Sequence, residues 1–106
     1  MQRIINELKF TDGSLLEFIL LRILSSRTYS IDEIFRLLKE VGFQTPKGSI
    51  YPIISDLRNK GFILSAREES EIGGTMKAFY ITEKGRCRLT DLCGDWKRLS
   101  SLIARL

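Results

Sequence analysis

A stretch of small, polar and basic residues between Thr45 and Gly61 carries the side chains best suited to binding. At a helical step of about 100° per residue, its apolar residues fall on one stripe, which predicts a helix with one face on a core. That stripe consists of Ile50, Ile53, Ile54 and Leu57. On the other faces three basic residues outnumber one acidic residue, Asp56. A low, basic helix face of this kind suits a polyanion, for which nucleic acid is the obvious candidate.

The residues needed for catalysis or metal binding are missing from the sequence. The chain has no histidine, which excludes a mixed cysteine–histidine zinc site and any histidine-based triad. Cys87 and Cys93 are six residues apart in a helical pattern and therefore point in different directions. No pair of carboxylates lies in an apolar setting. We therefore expect neither an enzyme nor a cofactor.

The composition is that of one globular domain of 106 residues, with 43% hydrophobic and 28% charged residues. The net charge of +4 is compatible with nucleic acid without requiring it. The longest apolar run, from Leu15 to Leu24, contains two charged residues and is shorter than the ~20 residues of a membrane span. No leader-like segment precedes this run, so a cytoplasmic protein with no membrane partner is expected.

The N-terminal segment predicts a short arm and then a buried helix. Ile4, Ile5 and Leu8 share one side of a helix too short to be stable alone, so it must lie on its own domain or on a second chain. Ser14 and Glu17 have the spacing of a capping box that starts the next helix. That next helix is apolar on nearly all sides, which predicts a central position.

A second capping box, Ser30 with Glu33, starts an amphipathic helix. Its apolar stripe consists of Ile31, Ile34, Phe35, Leu38 and Val41. Gly42 followed by Phe43 is typical of a Schellman motif at the end of a helix. Only a short turn separates this helix from the helix predicted between Thr45 and Gly61. The two therefore form a helix-turn-helix candidate.

The start of the binding helix has two interpretations, because Pro52 cannot donate a backbone hydrogen bond and crowds the carbonyl of Gly48. In the first, Thr45 is the N-cap, Pro46 is the first helical residue, and Pro52 kinks the helix. In the second, the helix starts late and Ser49 is its cap. The spacing of the residues leaves both open.

A β-hairpin and a final helix follow. Residues 62–67 and 75–82 predict two strands joined by a polar turn, with Phe79 and Ile81 on one side of the second. The last helix begins near Thr82, and its apolar residues recur in a heptad seam of Leu89, Leu92, Trp96, Leu99, Ile103 and Leu106. An exposed seam calls for a partner helix, most simply that of a second subunit.

Two segments of the chain resemble the signatures of PadR-type transcriptional regulators. They are GSIYPIISDLRNKGFI from Gly48 to Ile63 and ITEKG from Ile81 to Gly85, and the likeness covers roughly residues 14–106. It implies a winged helix-turn-helix, mainly α with a β-hairpin, whose recognition helix tolerates a kink at the internal proline. In that family the first segment is the recognition helix, and the second leaves the wing to begin the dimerisation helix.

The resemblance also implies how the single domain over 1–106 is divided. An N-terminal arm (1–13) precedes the winged helix-turn-helix (14–82), and a C-terminal dimerisation helix (83–106) follows it. In the shorter members of the family, the arm and the last helix form the dimer together. The residues expected at this dimer interface are Ile4, Ile5, Leu8, Leu89, Leu92, Trp96, Leu99, Ile103 and Leu106.

The wing, which is the β-hairpin, departs from the family pattern. Relatives carry a basic Gly-Arg-Pro-Arg-Lys run before two aromatic residues, whereas this chain reads GGTMKAF from Gly73 to Phe79. Two arginines are missing, and Glu68, Glu69 and Glu71 lie nearby. We therefore expect the wing to have a secondary role in DNA contact.

The leading hypothesis is a homodimeric DNA-binding transcriptional regulator, most often a repressor in this family, with a recognition helix at about 45–60 that reads an inverted repeat in double-stranded DNA. The residues expected to contact DNA are Thr45, Lys47, Ser49, Tyr51, Ser55, Arg58, Arg67, Thr75 and Lys77. Such residues usually form a solvated helix face, and the turn, the hairpin and the resemblance raise DNA contact above that role. The alternative is a winged-helix module for protein–protein interaction, which an acidic wing would suit.

Trp96 occupies a core position of the heptad seam, where the usual role is packing between subunits. In some small PadR-type proteins an aromatic residue at this place lines a pore between subunits that accepts flat apolar ligands. The resemblance therefore raises the hypothesis of a small aromatic effector beside Trp96 at the dimer interface.

Overall fold

Helices and short strands alternate along residues 12–43, 45–70 and 72–106, the parts of the chain that the computed structural model describes. The elements are α1 (Asp12–Leu24), β1 (Tyr29–Ser30), α2 (Ile31–Glu40), α3 (Lys47–Asn59), β2 (Ile63–Glu69), β3 (Thr75–Ile81) and α4 (Glu83–Arg105). This order confirms the predicted winged helix-turn-helix, mainly α with a β-hairpin. The predicted arm with Ile4, Ile5 and Leu8 lies outside the described residues.

The wing is an antiparallel hairpin in a sheet of order β1-β3-β2. β2 pairs with β3 from Ile63 opposite Ile81 to Glu69 opposite Thr75. The two residues of β1 pair with the other edge of β3, with Tyr29 opposite Phe79. β1 was not predicted, because two residues carry no periodic pattern and the pairing joins positions far apart in the chain.

The core lies between α1, α2, α3 and the base of the wing. It consists of Leu20, Leu21, Leu24, Ile34, Leu38, Ile50, Ile54, Leu57, Ile63, Phe79, Ile81 and Leu92. α1 supplies three of these residues, which confirms its predicted central position. No helix among the described residues is long and apolar enough to cross a membrane.

The predicted capping box at the start of α1 is wrong. The helix begins at Asp12, so Ser14 lies inside its first turn rather than ahead of it. Glu17 is buried instead, and its carboxylate accepts a hydrogen bond from Nε of Arg88 at 2.5 Å. A buried carboxylate needs such a partner, and this ion pair joins α1 to α4.

The caps of α2 match the sequence pattern. The Ser30 hydroxyl accepts from the Glu33 amide at 3.2 Å, and the Ser30 amide donates to Oε1 of Glu33 at 3.0 Å. The amide of Ser30 and then Arg27, whose guanidinium lies 3.0 Å from the same carboxylate, hold the pKa of Glu33 below its usual value. This capping box is confirmed.

The far end of α2 is a Schellman motif, as predicted. Gly42 has a positive φ of 82°, its amide donates to the Lys39 carbonyl, and the Phe43 amide donates to the Leu38 carbonyl. Val41 was predicted to lie on the apolar stripe, but the helix ends at Glu40 and the Val41 side chain is 67% exposed. The stripe therefore ends one turn earlier than expected.

Thr82 is the N-cap of α4, as predicted. Its hydroxyl accepts from the amide of Gly85 at 3.1 Å and donates to the carbonyl of Gly61 at 2.6 Å. Gly85 lies directly against the chain where α3 leads into β2. A Cβ atom at this position would collide with the carbonyl oxygen of Phe62 and lie 2.8 Å from Cγ1 of Ile81. Glycine therefore lets the first turn of α4 pack closely on the base of the wing.

Candidate nucleic-acid interface

α3 begins at Lys47, so neither interpretation of its start was right. Pro46 is the N-cap, with an extended ψ of 143°, and no side chain caps the helix. Thr45 is therefore not the cap, Pro46 is not the first helical residue, and Ser49 lies inside the helix. The helix continues through Pro52, and the absence of a side chain at Gly48 removes one source of crowding there.

The two sides of α3 differ as the sequence predicted. Ile50, Ile54 and Leu57 are buried and Ile53 is half-buried, so this stripe anchors the helix. The candidate residues Lys47, Ser49, Tyr51, Ser55 and Arg58 are exposed. Thr45 is half-buried in the turn before the helix, where it lines a shallow pocket with Lys47.

One aromatic ring of α2 contacts two of these exposed side chains. The centroid of the Phe35 ring lies 5.8 Å from that of Tyr51, with an edge-to-face angle of 73°. The Nζ atom of Lys47 lies 5.0 Å from the same Phe35 centroid. The apolar stripe of α2 predicted only a core position for Phe35. Lys47 and Tyr51 are four residues apart and share a helix face, so a single neighbouring ring can contact both of them.

A groove of about 230 Å³ separates α3 from the wing and brings candidates from both elements together. α3 contributes Tyr51, Ser55 and Arg58 to its lining, while β3 contributes Lys77 and Phe79. Four predicted binding residues thus meet at one groove. Polar and basic groups project from both sides of it.

Strand pairing decides which wing residues share this side of the sheet. Directly opposed residues of antiparallel strands point to the same face, and the face alternates along each strand. Arg67 opposite Lys77, and Glu69 opposite Thr75, therefore share the face of Phe79. Nη1 of Arg67 lies 3.4 Å from the Thr75 hydroxyl. All three wing candidates face the side of α3.

The acidic residues of the wing do not act as one cluster. Glu68 pairs with Met76 and therefore points to the face opposite Arg67 and Lys77. Glu69 alone shares the face of the basic residues among the described part of the wing, since Glu71 lies outside it. On α3, the single acid Asp56 is paired with Lys60 at 2.9 Å. The acidic charge beside the basic residues of α3 and the wing is therefore smaller than the sequence indicated.

No group of three potential metal ligands occurs among the described residues. The candidate surface is instead composed of lysine and arginine side chains, hydroxyl groups and one tyrosine. Such groups donate hydrogen bonds and positive charge, which is the chemistry that binds phosphate and base edges.

The family model described as "Transcriptional regulator PadR-like family" matches residues 20–91, which is more than half of the chain. The chain belongs to this family. It is therefore a DNA-binding transcriptional regulator and not an enzyme, as its residue types predicted.

Solved structures of similar proteins share the fold of this PadR-like chain. A PadR-like transcriptional regulator from Bacillus cereus strain ATCC 14579 is 27% identical, with a TM-score of 0.78 over 86% of this chain and 89% of that one. A Streptococcus transcriptional regulator is 26% identical, with a TM-score of 0.81 over 90% and 96%. Bacillus subtilis PadR in complex with operator DNA is 26% identical, with a TM-score of 0.64 over 73% and 45%. No curated protein matches the chain.

The seam residues of α4 in this PadR-like protein have two different environments. Leu92 is wholly buried in the domain, and Leu89 packs against the same core. Leu92 was predicted to lie at the dimer interface, but its burial makes it unavailable to a second subunit. Further along, Trp96 is 48% exposed, Leu99 is half-buried and Ile103 is 58% exposed. Leu106 follows the helix and is also exposed. The apolar surface therefore lies on the C-terminal half of α4.

Proposed function

We propose that this PadR-like chain is a homodimeric repressor that binds an inverted-repeat operator, with α3 as the recognition helix. The observation that supports this function best is the groove between α3 and the wing. Its two sides present Arg58 and Lys77, together with the hydroxyl groups of Tyr51 and Ser55. A surface with donors on two elements fits the curved phosphate backbone of a duplex better than it fits a flat protein face.

The proposed contacts divide into positioning and reading groups. Lys47 and Tyr51 donate to phosphates, whereas the other exposed candidates of α3, Ser49, Ser55 and Arg58, meet base edges in the major groove or further phosphates. The wing adds phosphate contacts through Arg67, Thr75 and Lys77, which share one face of the hairpin. Thr45, half-buried in the turn before α3, donates its hydroxyl hydrogen to the phosphate backbone of the DNA.

The homodimer is proposed to form through the apolar C-terminal half of α4, together with the N-terminal arm at 1–13. Trp96, Leu99, Ile103 and Leu106 supply the apolar side chains on α4. In this division, 14–82 is the winged helix-turn-helix and 83–106 carries the dimer surface, although the first turns of α4 also complete the core. A two-fold dimer would place the two recognition helices at half-sites about 34 Å apart or a multiple of that distance.

The 26% identical PadR of Bacillus subtilis was solved with operator DNA, which supports DNA as the partner here. Trp96 is 48% exposed beside the proposed interface, and we propose that a small aromatic effector binds next to it between the subunits.

A salt series on random-sequence duplex DNA tests the proposed function. We expect a Kd on the order of 1–100 µM at physiological salt, with log Kobs falling linearly as log salt rises, because basic side chains displace counterions from phosphates. Selection from a random duplex pool should then enrich an inverted repeat. Binding that is weak and insensitive to salt, with no enriched sequence, would instead favour the protein-interaction module.

A further inference from the structure

The ring of Phe35 lies at the meeting point of α2 and the first turns of α3. Phe35 is half-buried and packs against the core, which fixes its place in the domain. On its outer side it contacts Tyr51 edge to face, with centroids 5.8 Å apart, and lies 5.0 Å from Nζ of Lys47. One anchored ring thus touches both side chains that the proposed function assigns to phosphates.

We propose that Phe35 is a positioning residue for DNA binding, which acts by holding Lys47 and Tyr51 in one arrangement before DNA arrives. The inference rests on the proposed function, since it requires these two side chains to contact DNA. Phe35 itself does not touch DNA in this account. It lies on the supporting helix, and its effect passes through the two residues of α3.

The physical reason lies in the cost of ordering long side chains. A free lysine samples many rotamers, and fixing it on a phosphate loses that freedom when DNA binds. A cation beside an aromatic face and an edge-to-face ring pair both favour particular rotamers in the free protein. Part of the ordering is then complete before binding, which raises affinity without any new contact to DNA.

The arrangement on α3 makes this coupling specific. Lys47 and Tyr51 are separated by four residues and therefore lie one above the other on the same helix face. Tyr51 is 53% exposed although its ring contacts Phe35. Phe35 thus contacts both side chains, and Lys47 and Tyr51 both remain exposed to a partner.

The first test replaces Phe35 with leucine, which keeps an apolar side chain on the core but removes the ring. We expect Phe35→Leu to weaken binding to random-sequence duplex DNA roughly five- to tenfold. The dependence of log Kobs on log salt should keep its slope, because no basic side chain is lost. Phe35→Tyr retains the ring and should bind nearly as well as the unchanged protein.

Phe62→Leu is the matched control. Phe62 is also a half-buried phenylalanine packed against the core, with a lysine, Lys84, 5.6 Å from its ring centroid, but it lies at the opposite end of α3. Both variants lose the same atoms and should show similar losses of thermal stability. DNA affinity, measured per folded molecule, should fall only for Phe35→Leu.

A double-mutant cycle then separates positioning from a structural role. In the Lys47→Ala/Tyr51→Ala background, Phe35→Leu should no longer change DNA affinity, because the side chains it positions are absent. An equal loss in both backgrounds, or no loss in the unchanged protein, overturns the inference and leaves the proposed function standing. If Lys47→Ala/Tyr51→Ala itself binds DNA normally, the proposed contacts on α3 are wrong, and this inference is wrong with them.

Discussion

Lys47 is the first residue of α3, and Lys47 and Arg58 are the two basic residues of that helix. The exposed side chain of Lys47 lies at the turn between the two helices, where the duplex backbone would pass. A phosphate contact there carries no sequence information but contributes to binding every sequence.

We therefore predict that Lys47→Ala weakens binding to all duplexes by a similar factor. The plot of log Kobs against log salt should flatten by about 0.9, which corresponds to one lost phosphate contact. Fluorescence anisotropy at several salt concentrations measures both quantities.

Lys60→Ala is the control for Lys47→Ala, because it removes the same charge from the other end of the segment, where the lysine pairs with Asp56. Its salt slope should change less. Equal slopes for the two variants would mean that net charge, rather than a contact at Lys47, determines the effect.

The position of single residues was predictable where it depended on neighbours within one helical turn. The exposed face of α3 follows from its apolar stripe, and Ser30 with Glu33 forms the capping box that its spacing indicated. The grouping of Tyr51 with Lys77 was not predictable, since it depends on how the wing packs on α3. The role of Phe35 was missed for the same reason.

Local residues predicted the starts of α2 and α4 and the glycines that follow α2 and α3, but not the starts of α1 and α3. Gly42 and Gly61 end α2 and α3, because each adopts a positive φ that residues with a side chain rarely adopt. α1 starts at Asp12, ahead of the expected cap Ser14, and α3 starts at Lys47 without a side-chain cap. Local residue types therefore do not decide these two starts.

Two glycines of α4 allow a test of close packing between elements. In a helix, glycine is normally less favourable than alanine by about 0.5–1 kcal/mol. Gly85, however, faces the Phe62 carbonyl and Ile81 with no room for a Cβ atom. We predict that Gly85→Ala lowers the free energy of unfolding by about 2 kcal/mol, because the first turn of α4 must move away from the wing.

Gly94→Ala is the control for Gly85→Ala, since it lies in the same helix and the atom nearest to a new Cβ is the flexible end of Arg98 at 3.5 Å. It should raise the free energy of unfolding by about 0.5 kcal/mol. Urea unfolding followed by circular dichroism measures both changes. Stabilisation by both variants would show that helix propensity, and not packing at Gly85, dominates.

At the scale of the whole molecule, α4 has two functions along its length. Its first half completes the core through Leu92 and is joined to α1 by the ion pair between Arg88 and Glu17. Its second half carries Trp96 and Ile103 on the surface. A helix fixed at one end and apolar at the other would transmit the arrangement of a dimer rigidly to the two recognition helices.

The heptad pattern predicted the apolar character of α4 but not this division. Period alone cannot tell a residue that faces its own domain from one that faces a second chain, and Leu89 and Ile103 occupy equivalent places in the repeat. Only the packing of α1 against the first half of α4 separates them.

The proposed dimer is tested by placing a charge in the exposed part of the seam. Ile103→Asp would bring two unpaired carboxylates into an apolar contact, since a two-fold axis pairs each residue with the same surface. We predict that dimerisation weakens by roughly 3 kcal/mol, or about a hundredfold, and that affinity for an inverted repeat falls to that of a half-site. Analytical ultracentrifugation measures the dimer, and anisotropy measures DNA binding.

Leu64→Asp is the control for Ile103→Asp, because Leu64 is an exposed apolar side chain of the same size. It lies on the face of the wing opposite Arg67 and Lys77. It adds the same charge outside α4 and should leave the dimer intact. A dimer that survives Ile103→Asp but dissociates with Leu64→Asp would move the interface to the wing.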